Sequence, residues 1–384
     1  MAASIAIITS QAFSLVNFRG PLIARLVERG MTVFALAPDY DDEIRNQIKG
    51  CGAIPVDCSL SRAEMNPVRD LADIVRLAFL LRRLRPEMTL TYFIKPVMYG
   101  SIAAWLAGVP RRFSMIEGLG YVFMDDIQGV SLNRRFLRLG VSWLYKLALA
   151  CNLRVFFLND DDMDFFLRKK LVAARQIAYI DGIGLDLEHY RLEPPAAGPV
   201  SFLFVGRMLR EKGIYDFIEA AKRVRRRFPE ARFVLVGGVD CNPGSVREKE
   251  ILSWVRDGLV EWTGNIDDVR EELRKASVFV LPSYREGKPR STQEAMAAGR
   301  PVITTAVPGC RETVEDGRNG YLVAVRNPDE LARAMIHFIE EPDLITTMGC
   351  ESRRIAERRF DVHAINLTIL DVLGVTQQEG ARGG

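Results

Sequence analysis

A chain of 384 residues that is 48% hydrophobic and 26% charged is long enough for two domains, each burying its own core. It has no run of 18 uncharged apolar residues, so no spanning helix is expected. A net charge of +3 gives no reason to expect nucleic acid, while six cysteines without a CxxC pair and only three histidines speak against zinc.

The start, "MAASIAIITS", is apolar but lacks the basic region of a signal peptide and reads as a first buried strand. "GPLIARLVERG" follows as a helix, with Leu22, Ile23, Leu26 and Val27 on one face and Gly30 at its end. Short β-branched runs at 32–38, 88–93, 112–116 and 154–159 then alternate with helical patterns. The plan repeats at 200–206, 232–238, 259–264, 278–283 and 301–306. Such alternation predicts parallel sheets built from βαβ units: an α/β protein of two doubly wound, Rossmann-like domains facing across a cleft. "RLEPPAAGPV" punctuates the chain, which gives a first domain over 1–192, a linker over 193–199 and a second domain over 200–360. A C-terminal helix over 361–376 is placed back on the first domain, and 377–384 reads as a disordered tail. No strand is followed by G-x-G-x-x-G or a P-loop, so no dinucleotide cofactor is expected.

Chemistry concentrates in "PSYREGKPRSTQEAMAAGRP", 282–301. A strand delivers the chain to its carboxyl end, where open α/β sheets bind ligands, and Glu286 follows on the loop. Gly287 and Pro289 shape a turn, Ser291 or Thr292 is expected to cap the next helix, and Gly299 ends it. That helix start, with free N–H groups and a positive dipole end, suits a phosphate. Glu294, one turn in, is placed for ribose hydroxyls and Glu286 for a sugar. The backbone of Lys288 and Arg290 is expected to matter, and the part played by their side chains is left open by the residues alone. In "FVGRMLREKG", Arg207 and Lys212 occupy one βα loop at the same sheet edge, two cations suited to a diphosphate.

These stretches, with "YIDGIGLDLEHY" and "PGCRETV", resemble glycosyltransferase family 4, retaining enzymes of the GT-B fold, over about residues 4 to 375. "NFRGPLI", "LSRAEMNP", "KPVMYGSIAAWLAGVP" and "IEGLGYVF" resemble a bacterial branch that builds polyprenyl-diphosphate-linked surface glycans. The resemblance implies that Arg207 and Lys212 bind the donor diphosphate, Glu294 the ribose and Glu286 the donor sugar. The backbone from Gly287 through Lys288 and Pro289 to Arg290 would contact sugar and phosphate oxygens. It implies a nucleotide-sugar donor, most often UDP-linked, a polyprenyl-diphosphate acceptor and no metal or other cofactor. The cations would stabilise charge on the leaving diphosphate.

Many family members carry a histidine where "SMIEGLG" offers Glu117. Glu117 is read either as a ligand of a donor hydroxyl or the acceptor, with a catalytic part, or as a helix-capping acid. Asn17, Phe18, Arg19 and Lys95 complete the acceptor-side candidates, Lys95 for an acceptor diphosphate and Phe18 also as a plain aromatic staple. The aspartates of "FLNDDDMDFF" read as first-turn acids and "MDD", 124–126, as a loop.

From Arg62 to Arg154 there are 14 Lys/Arg against 7 Asp/Glu. Within that region "LNRRFLRLGVSWLYKLALACNLR", 132–154, mixes Arg134, Arg135, Arg138 and Lys146 with Trp143 and other apolar residues, and suits an anionic bilayer surface. "VRLAFLLRRLRP", 75–86, is a companion. The sequence therefore predicts a glycosyltransferase peripheral on the cytoplasmic face of the inner membrane. The alternatives are a GT-B sugar-nucleotide epimerase and a catalytically silent sugar-nucleotide-binding module.

Overall fold

The computed structural model describes residues 3–60, 67–119, 132–195, 197–240, 242 and 244–375, and for 67 and 132–138 the backbone alone. The loop 124–126 and the tail from 377 lie outside the described residues. The chain divides into two compact units. One runs to Ile183 and resumes at His363; the other is Gly184–Val362.

The strands of the first unit are β1 (Ser4–Ile8), β2 (Thr32–Ala37), β3 (Ile54–Asp57), β4 (Met88–Tyr92), β5 (Arg111–Ile116), β6 (Arg154–Phe157) and β7 (Ile177–Tyr179). Among the described residues they form one parallel sheet, ordered β3-β2-β1-β4-β5-β6-β7. Central β1 is buried on both faces. Ile5 and Ile7 join one core with Leu22, Ile23 and Leu26, and Ala6 and Ile8 join another with Leu77, Leu81 and Tyr145. The helix Val362–Leu373 adds Ile365, Ile369, Leu370 and Leu373 to the first of these cores.

The second unit holds β8 (Ser201–Val205), β9 (Arg232–Val236), β10 (Glu261–Trp262), β11 (Val278–Leu281), β12 (Val302–Thr305) and β13 (Gly320–Val323). They form a parallel sheet ordered β10-β9-β8-β11-β12-β13. In both sheets the order reverses beside the first strand, between β1 and β4 and between β8 and β11. A crevice at that switch point, beyond the carboxyl ends, is where such sheets hold ligands.

The unit boundary departs from the expected linker. Residues 185–194 are tied to the second unit: the Leu185 N–H donates to the Phe360 carbonyl at 2.8 Å, and Arg300 Nη2 donates to the Glu193 carbonyl at 2.7 Å. A proline-rich stretch cannot continue a helix, but its carbonyls still accept hydrogen bonds, and here they anchor it.

Candidate functional site

The loop after β8 passes through a 3-10 turn, Arg210–Lys212, to Gly213, which has φ +76° and precedes the helix Ile214–Arg227. A Cβ on Gly213 would overlap the Pro282 carbonyl, so glycine is what lets this loop touch the end of β11. The Tyr284 N–H donates to the Glu211 carbonyl at 2.9 Å and joins the two loops. Lys212 and Glu286 meet as a result: Nζ lies 2.6 Å from Oε1, which also accepts from Ser283 Oγ at 2.7 Å. Behind the loop, the Glu286 N–H donates to the Pro308 carbonyl at 3.2 Å. Gly309, at φ +79°, passes so close that a Cβ would overlap the Glu286 carbonyl.

The helix Arg290–Ala297 starts beside this pair, capped by Pro289 and without a side-chain cap. This corrects the expected Ser291 or Thr292 cap: both lie inside the helix, past the position whose side chain can turn back to the first N–H groups. Gly299 ends the helix at φ +76°. Glu294 is buried, and its Oε1 accepts from Arg290 Nε at 2.8 Å and from the Tyr190 hydroxyl at 2.9 Å. Burial beside Glu294 pushes the Tyr190 phenol far above its ordinary range, so it stays a donor at neutral pH. Lys288 is buried, with Nζ 3.5 Å from Glu312 Oε2. Both side chains left open by the sequence, Lys288 and Arg290, are thus engaged with carboxylates of their own unit, because a sheltered cation needs an opposite charge.

Arg207 is 47% exposed and directs Nη1 to Asp240 Oδ2 at 2.6 Å. The Asn242 N–H holds the other Asp240 oxygen at 2.9 Å. The structure therefore gathers Lys212, Glu286 and Ser283, then Arg290, Glu294 and Tyr190, and separately Arg207 with Asp240. Sequence reasoning missed Tyr190, Ser283 and Asp240. Tyr190 closes the quoted stretch "YIDGIGLDLEHY", but its partner lies 104 residues away.

In the first unit Arg19 is 1% exposed and ion-paired with Glu117. Its Nη2 also lies 2.9 Å from Met115 Sδ, and the guanidinium sits 4.6 Å over the Tyr92 ring. Asn17 is exposed at the end of the short helix Phe13–Asn17. Phe18 is half-buried, edge-on to Phe13 with centroids 5.7 Å apart, as an aromatic staple would be. Lys95 Nζ lies 3.3 Å from Asp70 Oδ1, whose other oxygen accepts from Tyr99 at 2.8 Å. An acceptor diphosphate at Lys95 would have to compete with Asp70. The aspartates 160–162 form a helix's first turn, with Asn159 as the cap accepting from the Asp162 N–H at 2.7 Å.

On the helix Leu132–Ala150, Val141, Tyr145, Ala148 and Leu149 are buried, whereas Leu139, Trp143, Lys146 and Leu147 face outward. The side chains of Arg134, Arg135 and Arg138 lie outside the described residues. The helix Pro67–Leu84 exposes Val68, Leu71, Val75 and Phe79. No helix among the described residues is long and apolar enough to cross a membrane.

Two doubly wound parallel α/β units, each with charged loops at the carboxyl end of its sheet, have the architecture of the GT-B class. Residues 199–341 match the family model described as glycosyl transferases group 1, and residues 19–181 match that of a glycosyl transferase 4-like domain. The chain belongs to this glycosyltransferase family. It is 29% identical over 344 residues to the N,N'-diacetylbacillosaminyl-diphospho-undecaprenol alpha-1,3-N-acetylgalactosaminyltransferase of Campylobacter jejuni, covering 86% of this chain and 88% of that one. It is 27% identical over 302 residues to the UDP-Gal:alpha-D-GlcNAc-diphosphoundecaprenol alpha-1,3-galactosyltransferase of Escherichia coli, covering 74% and 75%. Among solved structures, Anabaena HepE with UDP and glucose superposes with a TM-score of 0.75 at 17% identity, over 97% of this chain and all of that one. The protein is an enzyme, a glycosyltransferase, and the epimerase and silent-module alternatives find no support in these relatives.

Proposed function

We propose that the protein is a retaining, metal-independent glycosyltransferase that moves a hexose or N-acetylhexosamine from a UDP-sugar to a polyprenyl-diphosphate-linked saccharide. The observation that carries this reading is the Lys212–Glu286 pair at the β8/β11 switch point, beside the start of the helix Arg290–Ala297. Lys212 and Arg207 are the cations for the donor diphosphate, with Ser283 and Asp240 orienting their surroundings. Glu294, steered by Tyr190 and Arg290, grips the ribose, and Glu286 holds the sugar. The bond from the anomeric carbon to the diphosphate oxygen breaks, and its electron pair leaves with the nucleotide. The acceptor hydroxyl bonds to the same face, and its proton passes to a phosphate oxygen. Arg207, Lys212 and the helix start stabilise the charge that develops, which is where fixed cations and dipoles accelerate a reaction most. The two undecaprenol-diphosphate transferases above, both α-1,3, support the acceptor class and the retained configuration.

The test is a thermal-shift panel of UDP- and GDP-sugars followed by transfer to short polyprenyl-diphosphate saccharides. A ligand at 100 times its Kd should stabilise the fold by about 2.7 kcal/mol. Lys212→Ala should abolish the shift with UDP itself, whereas Glu286→Ala should keep it. No shift with any sugar nucleotide would overturn the reading.

A lipid-linked acceptor requires access to a bilayer. The outward face of Trp143, Leu139, Leu147 and Lys146 fits peripheral binding to an anionic cytoplasmic leaflet, with Arg134, Arg135 and Arg138 on the same helix. Neutralising the three arginines should weaken co-sedimentation with anionic liposomes, as should Trp143→Ser. Unchanged sedimentation would remove the helix from membrane binding.

A further inference from the structure

The first unit holds a buried cation that the transfer chemistry above leaves without a task. Arg19 is the N-cap of the helix Gly20–Glu28, two residues past the short helix Phe13–Asn17. Nη1 donates to the Phe18 carbonyl at 3.2 Å, Nη2 faces Met115 Sδ, and the Tyr92 ring lies against the guanidinium plane. That ring is itself fixed: Tyr92 Oη is 2.8 Å from Ser14 Oγ, which donates to the Gln11 carbonyl at 2.6 Å and lies 3.2 Å from Thr9 Oγ1. Packing, the hydroxyl chain and the ring leave the guanidinium one orientation, with Nη2 directed at Glu117 Oε1.

Glu117 differs from its partner in one respect. It follows directly on β5, at the carboxyl end of the sheet and one strand beyond the β1/β4 switch point, and its side chain keeps 14% exposure. A buried ion pair is a poor choice for stability alone, since apolar residues of similar volume often serve as well or better. Here the cation is sealed and the carboxylate retains an outlet. That asymmetry suits a carboxylate held ready for a ligand.

We propose that Arg19 is a positioning residue that holds the Glu117 carboxylate in one orientation, so that it accepts a hydrogen bond from a hydroxyl of the sugar substrate. The proposal rests on the transferase reading for its substrate but not for the Arg19–Glu117 coupling. Among the described residues, the charged or titratable groups that face Glu117 are Arg19, from the N-cap of the helix Gly20–Glu28, and Tyr92, from β4. Burial raises the Glu117 pKa, and Arg19 opposes it. The Tyr92 phenol, pushed by burial to about 12, stays neutral throughout the working range. Without Arg19 the burial effect acts unopposed. Glu117 then takes up its proton at a higher pH, and the hydroxyl contact is lost earlier as pH falls.

The experiment titrates the full chain with 13C-labelled glutamate carboxyls, assigning Glu117 by its loss in Glu117→Gln, alongside pH profiles of kcat/KM. Arg19→Met should move the Glu117 midpoint and the acid limb of kcat/KM upward together, and Arg19→Lys should return both part of the way. Glu117→Gln, with nearly unchanged shape, should lower kcat/KM at least about tenfold, as loss of a hydrogen bond to a charged group does, and should abolish that limb. A midpoint and limb that stay in place in both Arg19 variants would reduce Arg19 to a structural role. Glu117→Gln within twofold of the parent would remove the sugar contact. If Arg19→Met does not fold, Arg19→Lys and Glu117→Gln still decide. A parent protein that transfers no sugar would sink the transferase reading, while the carboxyl titration would still test the coupling.

Discussion

The carboxyl edges of the two sheets make an instructive pair. In the second unit Arg207 and Lys212 remain partly open, 47% and 21% exposed, and each has one carboxylate within 2.6 Å. In the first unit Arg19 is sealed beneath Tyr92, and only its carboxylate partner reaches outward. The same strand order thus carries two kinds of ion pair. A cation that keeps a partly open side can turn to a ligand, even though its carboxylate partner is mostly buried, Glu286 at 11% and Asp240 at 8%. A sealed pair does not exchange; it fixes the group that faces the ligand.

The sharpest way to break this contrast is Glu286→Ala, which should lower transfer by at least about 100-fold, as loss of a transition-state contact can. Near-normal turnover would make the Lys212–Glu286 pair a structural ion pair and nothing more. Gly213→Ala should come next. A side chain at φ +76°, pressed on the Pro282 carbonyl, should cost about 1–3 kcal/mol in denaturant unfolding. No loss would mean that the loop is free to move and the geometry around Lys212 is not imposed. Tyr190→Phe should raise the KM for the donor by about fivefold while leaving kcat nearly unchanged, the size of one hydrogen bond. A fall in kcat instead would move Glu294 from holding ribose into the chemistry. The smallest expected effect is that of EDTA, which should leave activity intact. A strong loss restored by Mg²⁺ would mean that the cations of the second unit do not stabilise the leaving diphosphate by themselves.

Much of this arrangement was legible beforehand, for definite reasons. The central strands are buried on both faces, so their apolar runs are continuous and announce themselves. β3 and β7, at the two edges of the first sheet, and β13, at an edge of the second, were not recognised as strands. Each has four residues or fewer, and Ile54, Tyr179 and Tyr321 remain partly or fully exposed, so their local pattern is weak. The expected linker at 193–199 and the unit boundary at Ile183/Gly184 differ for a similar reason. Proline marks where a helix cannot run, whereas the division between units depends on which surface the chain packs against. On the helix Arg290–Ala297 position outweighs residue type: Ser291 and Thr292 are good capping residues but lie inside the helix, and Pro289 holds the cap position.

The sequence by itself determined the two-unit parallel architecture, the family, and which side chains crowd the carboxyl edges, because periodicity, glycine placement and motif spacing are local properties. Only the tertiary structure decided the pairings. Lys212 meets Glu286 across 74 residues, Tyr190 meets Glu294 across 104, and Arg19 meets Glu117 across 98. A charge finds its partner through desolvation and packing, which act over a few ångströms in space and leave no mark on the spacing along the chain.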